Sequence, residues 1–221
     1  MVITTIELAG QLLELCPERA VFWPAQRTLL IADVHLGKDQ VFRSHGVAVP
    51  AGMVAADLER LTDLVDRTGA ERLIVLGDWV HAPPGPGEPW PEQIHAWRDR
   101  HRTLSVELVQ GNHDRALATW LTDWSITDHG ERFELAGLVL IHEWHPGLSG
   151  PGLSGHLHPG AVIRAGHERL RLPAFLRAGD HLVVPAFGRF TGLMTTTPFP
   201  TQQAWVIAGK RVIGLPAAIH A

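Results

Sequence analysis

Asp33 and His35, Asp78, Asn112 with His113 and Asp114, His142, and His156 with His158 are metal-ligand or proton-carrying residue types. Each group sits where an apolar run stops. Asp33 and His35 follow residues 28–32, Asp78 follows 73–76, and the 112–114 cluster follows 104–109. His142 follows residues 138–141, and His156 and His158 lie in Gly155-His-Leu-His158. His145, three residues beyond His142, is the alternative for the same role. Carboxylate, amide and imidazole donors without a thiolate suit manganese, iron or zinc better than calcium or magnesium. Metal-assisted hydrolysis is the chemistry such a set performs. The pairs Asp33/His35 and His156/His158 are two residues apart, so in an extended segment both members would reach one centre. The competing reading is a series of turn and cap residues, which Asp and Asn favour. Five groups that each end an apolar run weigh against it.

The elements that must bring these groups together are legible in outline. Residues 28–32, 73–76 and 104–109 are buried strands. Val54, Leu58, Leu61 and Val65 recur at helical spacing, with Gly69 placed as a C-terminal cap. Strand, helix and strand alternate, which argues for crossover units, parallel pairing and the α/β class. Ligands in such sheets bind outside the carboxyl ends of the strands. The second half reads as antiparallel and strand-rich, with candidates at 138–141, 153–157, 161–163, 182–184, 204–207 and 211–215. Residues 83–89, Pro-Pro-Gly-Pro-Gly-Glu-Pro, form a loop.

Composition excludes several classes. The chain has 221 residues, 45% hydrophobic and 19% charged, which is globular rather than disordered. No apolar run of about 18 residues is present, so no membrane-spanning helix is expected. Cys16 is the only cysteine, so an intramolecular disulfide framework and a Cys-rich zinc module are excluded. Residues 1–7 lack a basic region followed by an apolar run, so no secretory signal is expected and the default location is cytoplasmic. Net charge is −4, without the strong basicity of a domain that grips long nucleic acid over its whole surface.

Asp-x-His, Gly-Asp, Gly-Asn-His-Asp, a later His and Gly-His-x-His, in that order across residues 33–158, resemble the calcineurin-like metallophosphoesterase superfamily. Ile31-Ala-Asp-Val-His-Leu-Gly37 and Gly77-Asp-Trp-Val-His81 resemble its nuclease branch, which includes SbcD-type repair nucleases. The Ser/Thr phosphatases of the superfamily have a second aspartate where this chain has His81. Leu172-Pro-Ala-Phe175 and Val184-Pro-Ala-Phe-Gly-Arg-Phe-Thr-Gly192 resemble a smaller family, PdeM, described as ligase-associated DNA-damage-response phosphoesterases or endonucleases.

The resemblance implies a four-layer αββα sandwich of two facing sheets flanked by helices, in one domain over residues 1–221. It implies two divalent ions, manganese first, with iron or zinc as alternatives. Asp33, His35 and His158 would hold one ion, Asn112, His142 and His156 the other, and Asp78 would bridge them. A metal-bridged hydroxide would attack a phosphodiester, in DNA or nucleotides. His113 would stabilise developing charge or protonate the leaving oxygen. His81 would position the phosphate, and Asp114 would fix its segment or an imidazole. The expected partners are DNA-repair proteins such as a DNA ligase and a helicase, with no membrane; a homodimer is compatible. The alternatives are a phosphomonoesterase, a cyclic-nucleotide phosphodiesterase, or a metal-bound scaffold without turnover. The metallo-β-lactamase pattern is excluded, because it requires Asp where Gly160 stands.

The remaining residues receive plainer expectations. His45, His95, His101, His129, His167, His181 and His220 are read as surface or loop residues, and Asp39 and Asp57 as solvated. Trp120 and Trp124, at i and i+4, are read as core, whereas Trp79, Trp90 and Trp144 are candidates to line the cleft. Arg98, Arg100 and Arg102 with His101 read as a solvated helix face, with a phosphate-backbone contact as the alternative. Arg189 either reaches the site or caps a turn.

Overall fold

A computed structural model describes residues 3–50, 52–145, 147–148, 150–165, 168–196 and 201–215. His167 and His220 lie outside the described residues. The strands are β1 (Thr4–Leu8), β2 (Gln11–Cys16), β3 (Ala20–Trp23), β4 (Thr28–Ile31), β5 (Arg72–Leu76), β6 (Ser105–Val109), β7 (Thr127–Asp128), β8 (Arg132–Leu135), β9 (Leu138–Ile141), β10 (Gly152–Ser154), β11 (Gly160–Ala165), β12 (Glu168–Ala178), β13 (His181–Val183), β14 (Gln203–Ala208) and β15 (Arg211–Leu215). The helices are α1 (Lys38–Ser44), α2 (Met53–Thr68), α3 (Trp90–Arg100) and α4 (Ala118–Asp123).

Two mixed sheets face each other. The first runs β1-β2-β3-β4-β5-β6-β7, antiparallel through β4 and parallel from β4 to β7. The second runs β15-β14-β12-β13-β10-β9-β8, with β11 paired to β12. The expectation of an antiparallel second half needs one correction, since β10 is parallel to both β9 and β13. That arrangement aims the ends of β9 and β10 the same way, towards the metal-ligand loops.

The core explains the layers. Leu30, Ile74, Leu76 and Val109 from the first sheet meet Leu140, Leu153, Phe175 and Leu182 from the second. The other face of β4–β6 packs under α2 and α3, so Leu29, Ile31, Leu73 and Val75 are buried there. Strands covered on both faces read as unbroken apolar runs, which is why these were visible in the sequence. Val54, Leu58, Leu61 and Val65 all face that core. Gly69, at φ 63°, closes α2 by donating its N–H to Val65 O at 2.9 Å.

The helical cover is unequal. The outer face of the second sheet carries a smaller cluster built from Ala174, Leu176, Val183, Ala204 and Val206, with Trp144, Leu157, Ile163 and Leu172 packed against it. No helix among the described residues is long and apolar enough to cross a membrane.

Several solvated or surface expectations are overturned by packing. Asp39 is buried and paired to Arg43, and Asp57 is buried and paired to Arg60 at 3.2 Å. His101 is buried with its Nε2 2.9 Å from Thr62 Oγ1. His181, buried on β13, stacks on Trp144. Trp79 and Trp90 are core residues rather than cleft walls. Arg98 is half-buried and donates to the carbonyls of Trp124, His101 and Leu104, so it ties α3 to the chain around it. Arg189 is held by Asp57, whose Oδ2 accepts its backbone N–H at 3.4 Å.

Candidate metal centre

The ligand candidates lie on five segments that leave neighbouring strands at one end of the sandwich. Asp33 and His35 follow β4, Asp78 follows β5, and Asn112, His113 and Asp114 follow β6. His142 follows β9, and His156 and His158 follow β10. The expected extended geometry is corrected here. β10 stops at Ser154, and Asp33 (φ 53°), His35 (51°), Asp78 (54°), His156 (69°) and His158 (47°) are all left-handed. Such conformations are costly for these residue types and persist where the surroundings enforce them.

The enforcement is visible as hydrogen bonds between loops. Asp33 N–H donates to Gly77 O at 3.0 Å and His35 N–H to Asp78 O at 2.9 Å. Phe187 N–H reaches Ala32 O at 2.7 Å, and Met194 N–H reaches His158 O at 3.0 Å. Asp114 is buried, and its carboxylate accepts the N–H groups of Asp78 (2.7 Å), Gly111 (2.9 Å) and Trp79 (3.0 Å). It therefore fixes the segment rather than an imidazole. Burial, followed by the Asp78 charge, pushes its pKa up to about 6.

The side chains converge. Asp33, His35, Asp78 and His142 are buried. His35 Nε2 lies 3.3 Å from His158 Nε2 and 3.7 Å from Asp78 Oδ2. His158 Nε2 lies 3.3 Å from Asp33 Oδ1. His142 Nε2 is 3.5 Å from Asp78 Oδ2 and 3.0 Å from His156 Nδ1, while its Nδ1 is 2.9 Å from Leu76 O. It is thus His142, and not the exposed His145, that the structure brings to the carboxylates. His113 is half-buried, donates its backbone N–H to Asp78 Oδ1 at 3.1 Å, and places Nε2 4.0 Å from Asp78 Oδ2. The His81 and His113 rings lie 4.8 Å apart.

Asn112 is placed differently. Its side chain is exposed and makes no hydrogen bond among the described residues, although both flanking residues touch Asp78. A Cβ on Gly111 would stand 2.3 Å from Asp78 Oδ1.

The donor set fits divalent ions. Donor atoms of Asp33, His35 and His158, of Asp33, Asp78 and His142, and of His35, His81 and His113 each lie within 4.8 Å of one another. Nitrogen and oxygen ligands bind zinc-like ions at about 2.0–2.2 Å, so these separations span one ion. Asp33 Oδ1 is buried without a hydrogen-bond partner among the described residues. A carboxylate oxygen left that way is expensive unless a cation meets it. Burial first, and Lys38 next, lower the His35 pKa to about 2, and the same two causes lower that of His81 to about 4. Both rings are neutral at physiological pH, the form that ligates or accepts a hydrogen bond.

Sequence reasoning missed Lys38. It is half-buried three residues after His35, and it forms no ion pair among the described residues. Burial lowers its pKa, opposed by the Asp78 and Asp33 charges. Its position directly after Gly37 in the first motif was the available signal. Glu143 was also missed; its Oε1 lies 3.6 Å from His156 Nε2.

Comparisons with known proteins bear on this geometry. Searches against protein-family profiles and curated proteins find no match. Among solved structures, the Pseudomonas putida nuclease MPE is similar at 36% identity and TM-score 0.83, over 97% of this chain and 100% of that one. The Escherichia coli phosphoesterase YfcE is similar at 15% identity and TM-score 0.45, over 86% of this chain and 98% of that one. The extent and identity of the match to nuclease MPE place this chain in its family, and the chain is a member of the calcineurin-like metallophosphoesterases.

Proposed function

We propose that the chain is a phosphodiesterase that holds two divalent ions, manganese first, and cleaves phosphodiester bonds in nucleic acid. The observation that carries the two-ion reading is the position of Asp78 Oδ2. It lies 3.7 Å from His35 Nε2 and 3.5 Å from His142 Nε2, between the two ligand groups. A carboxylate there offsets the repulsion of two cations held about 3.5–4 Å apart. The nucleic-acid part is supported by the similarity to nuclease MPE and by the resemblance of Gly77-Asp-Trp-Val-His81 to the nuclease branch.

Bound ions supply Lewis acidity and a water of lowered pKa; the rest falls to the chain. Asp33, His35 and His158 would hold one ion and Asn112, His142 and His156 the other, with Asp78 shared between them as the seventh ligand. Lys38 offers a cation to a phosphoryl oxygen as charge develops. His113, half-open to solvent beside Asp78, donates a proton to the leaving oxygen. Neutral His81 orients the phosphate. In this reading the chain works in the cytoplasm in DNA repair beside a ligase and a helicase, a role supported by the PdeM-like segments at 172–175 and 184–192.

A substrate panel with added Mn²⁺ tests the proposal. It compares a phosphomonoester, bis(p-nitrophenyl) phosphate, cyclic nucleotides, and single- and double-stranded DNA. Diesters turned over faster than the monoester are expected. A clear monoester preference points to a phosphatase, and no turnover on any substrate points to a scaffold.

A further inference from the structure

β12 is longer than the sheet it serves. It pairs with β13 and β14 only from Ala174 onward, and its first six residues pair with β11 alone. The result is a two-stranded ribbon. β11 begins two residues after His158, so the ribbon leaves the sandwich at the end that carries the metal-ligand loops.

Register assigns the ribbon's faces. Arg164 stands opposite Arg169, and Val162 opposite Arg171, so the three arginines share one face. Along β12 this is the face of Phe175, which is buried between the sheets, and of Arg177, whose Nη1 donates to Glu7 O on β1. The arginines therefore look to the side on which the first sheet lies. Arg171 donates to Leu193 O at 2.7 Å, and the next residue, Met194, donates its N–H to His158 O. The arginine face thus adjoins the loop of a metal-ligand candidate. The opposite face, with Ala161, Ile163 and Leu172, packs on the outer apolar cluster.

The charge arrangement is unusual for a surface that only meets water. All three arginines are exposed, and none has an ion pair among the described residues. Like charges directly opposite in a sheet are destabilising, and Arg164 faces Arg169. The carboxylate of Glu168 falls on the other face, because Glu168 pairs with Ala165. This concentration of guanidinium groups occurs in a chain of net charge −4. Arginine forks match phosphate oxygens in paired hydrogen bonds. Arg169 and Arg171 are two strand residues apart, about 6.7 Å, a spacing that suits a row of phosphates better than one small ester.

We propose that the β11–β12 ribbon is a nucleic-acid-binding arm: Arg164, Arg169 and Arg171 hold backbone phosphates of the polynucleotide whose scissile phosphate lies at the metal centre. The inference rests on the nuclease reading above and names where its substrate extends.

The test uses the double variant Arg164→Gln/Arg169→Gln, which spares the bond from Arg171 to Leu193. Binding of a labelled, cleavage-resistant phosphorothioate 20-mer is followed by fluorescence anisotropy across a salt series in Mn²⁺. Affinity should fall about tenfold, and the slope of log K against log salt should shrink by about 1.4, at about 0.7 per phosphate contact on a single strand. Turnover of bis(p-nitrophenyl) phosphate, too small to reach the ribbon, should stay within about twofold. Unchanged affinity and slope, no binding by the wild type, or an equal loss of small-diester turnover would overturn the inference. A wild type that binds the strand through these arginines yet hydrolyses no diester would refute the enzymatic reading and leave the arm standing.

Discussion

The carboxylate of Asp114 accepts the backbone N–H of Asp78 at 2.7 Å, and through Gly111 and Trp79 it binds two loops into one unit. Both oxygens are committed to N–H donors. In Asp114→Asn one oxygen becomes an NH₂ group that must face a donor, which leaves a buried N–H without an acceptor. A loss of about 1–3 kcal/mol is expected, together with weaker metal binding, because Asp78 is no longer held. Thermal melting with and without Mn²⁺ reads both effects. A variant as stable as the wild type would show that the three bonds contribute little.

Gly77 is the second point where backbone and ligand meet. Its φ is +80°, and a Cβ there would stand 2.1 Å from His142 Nδ1. Gly77→Ala must move the His142 ring away from Leu76 O and pay about 1–2 kcal/mol for the left-handed conformation. Diesterase activity should drop by about two orders of magnitude or more, with an altered metal content. Unchanged activity would mean that the His142 position is not needed.

His113 should separate chemistry from metal binding. Its backbone N–H is bonded to Asp78, while its half-exposed ring places Nε2 4.0 Å from Asp78 Oδ2. His113→Ala is expected to lower kcat by about 10²–10⁴ for DNA. Nitrophenyl diesters, whose leaving group needs little protonation, should suffer less. Metal content should remain that of the wild type; loss of an ion would make His113 a ligand instead.

The pH dependence of stability has a definite sign at His181. Burial pushes its folded pKa down to about 3 from an ordinary 6.5. Between those values the unfolded chain takes up a proton that the folded chain refuses. Stability from this group is present above about pH 6.5 and is lost as pH falls, at about 1.4 kcal/mol per pH unit. Denaturant titrations at pH 7 and 5 should show a smaller acid loss for His181→Phe than for the wild type. Equal losses would place the titrating groups elsewhere.

Much of the centre was readable because chemistry-bearing residues cluster at the ends of apolar runs, and parallel strands carry those ends to one place. The route from sequence to convergence was misread. Asp33/His35 and His156/His158 meet through left-handed turns braced by neighbouring loops, not through extended backbone, and no local pattern announces bracing by Gly77 O or by the N–H of Gly188, which donates to Asp33 O at 3.1 Å. Burial of Asp57, His101 and His181 was equally hidden, since each meets a partner distant in the chain: Arg189, Thr62 and Trp144. The three N-terminal strands are short, and Leu12 on β2 is exposed, which blurs the apolar run there. The arginine face of the ribbon emerges only from register, because Arg164 and Arg169 are on different strands.

Metal analysis of the reconstituted protein addresses the central claim most directly. The chain is stripped with a chelator, reloaded with Mn²⁺ and freed of excess, and wild type is compared with Asp78→Asn and Asp33→Ala. The account predicts two ions per wild-type chain, impaired occupancy of both in Asp78→Asn, and loss mainly of one in Asp33→Ala. Two ions retained by Asp78→Asn, or none bound by the wild type, would contradict it.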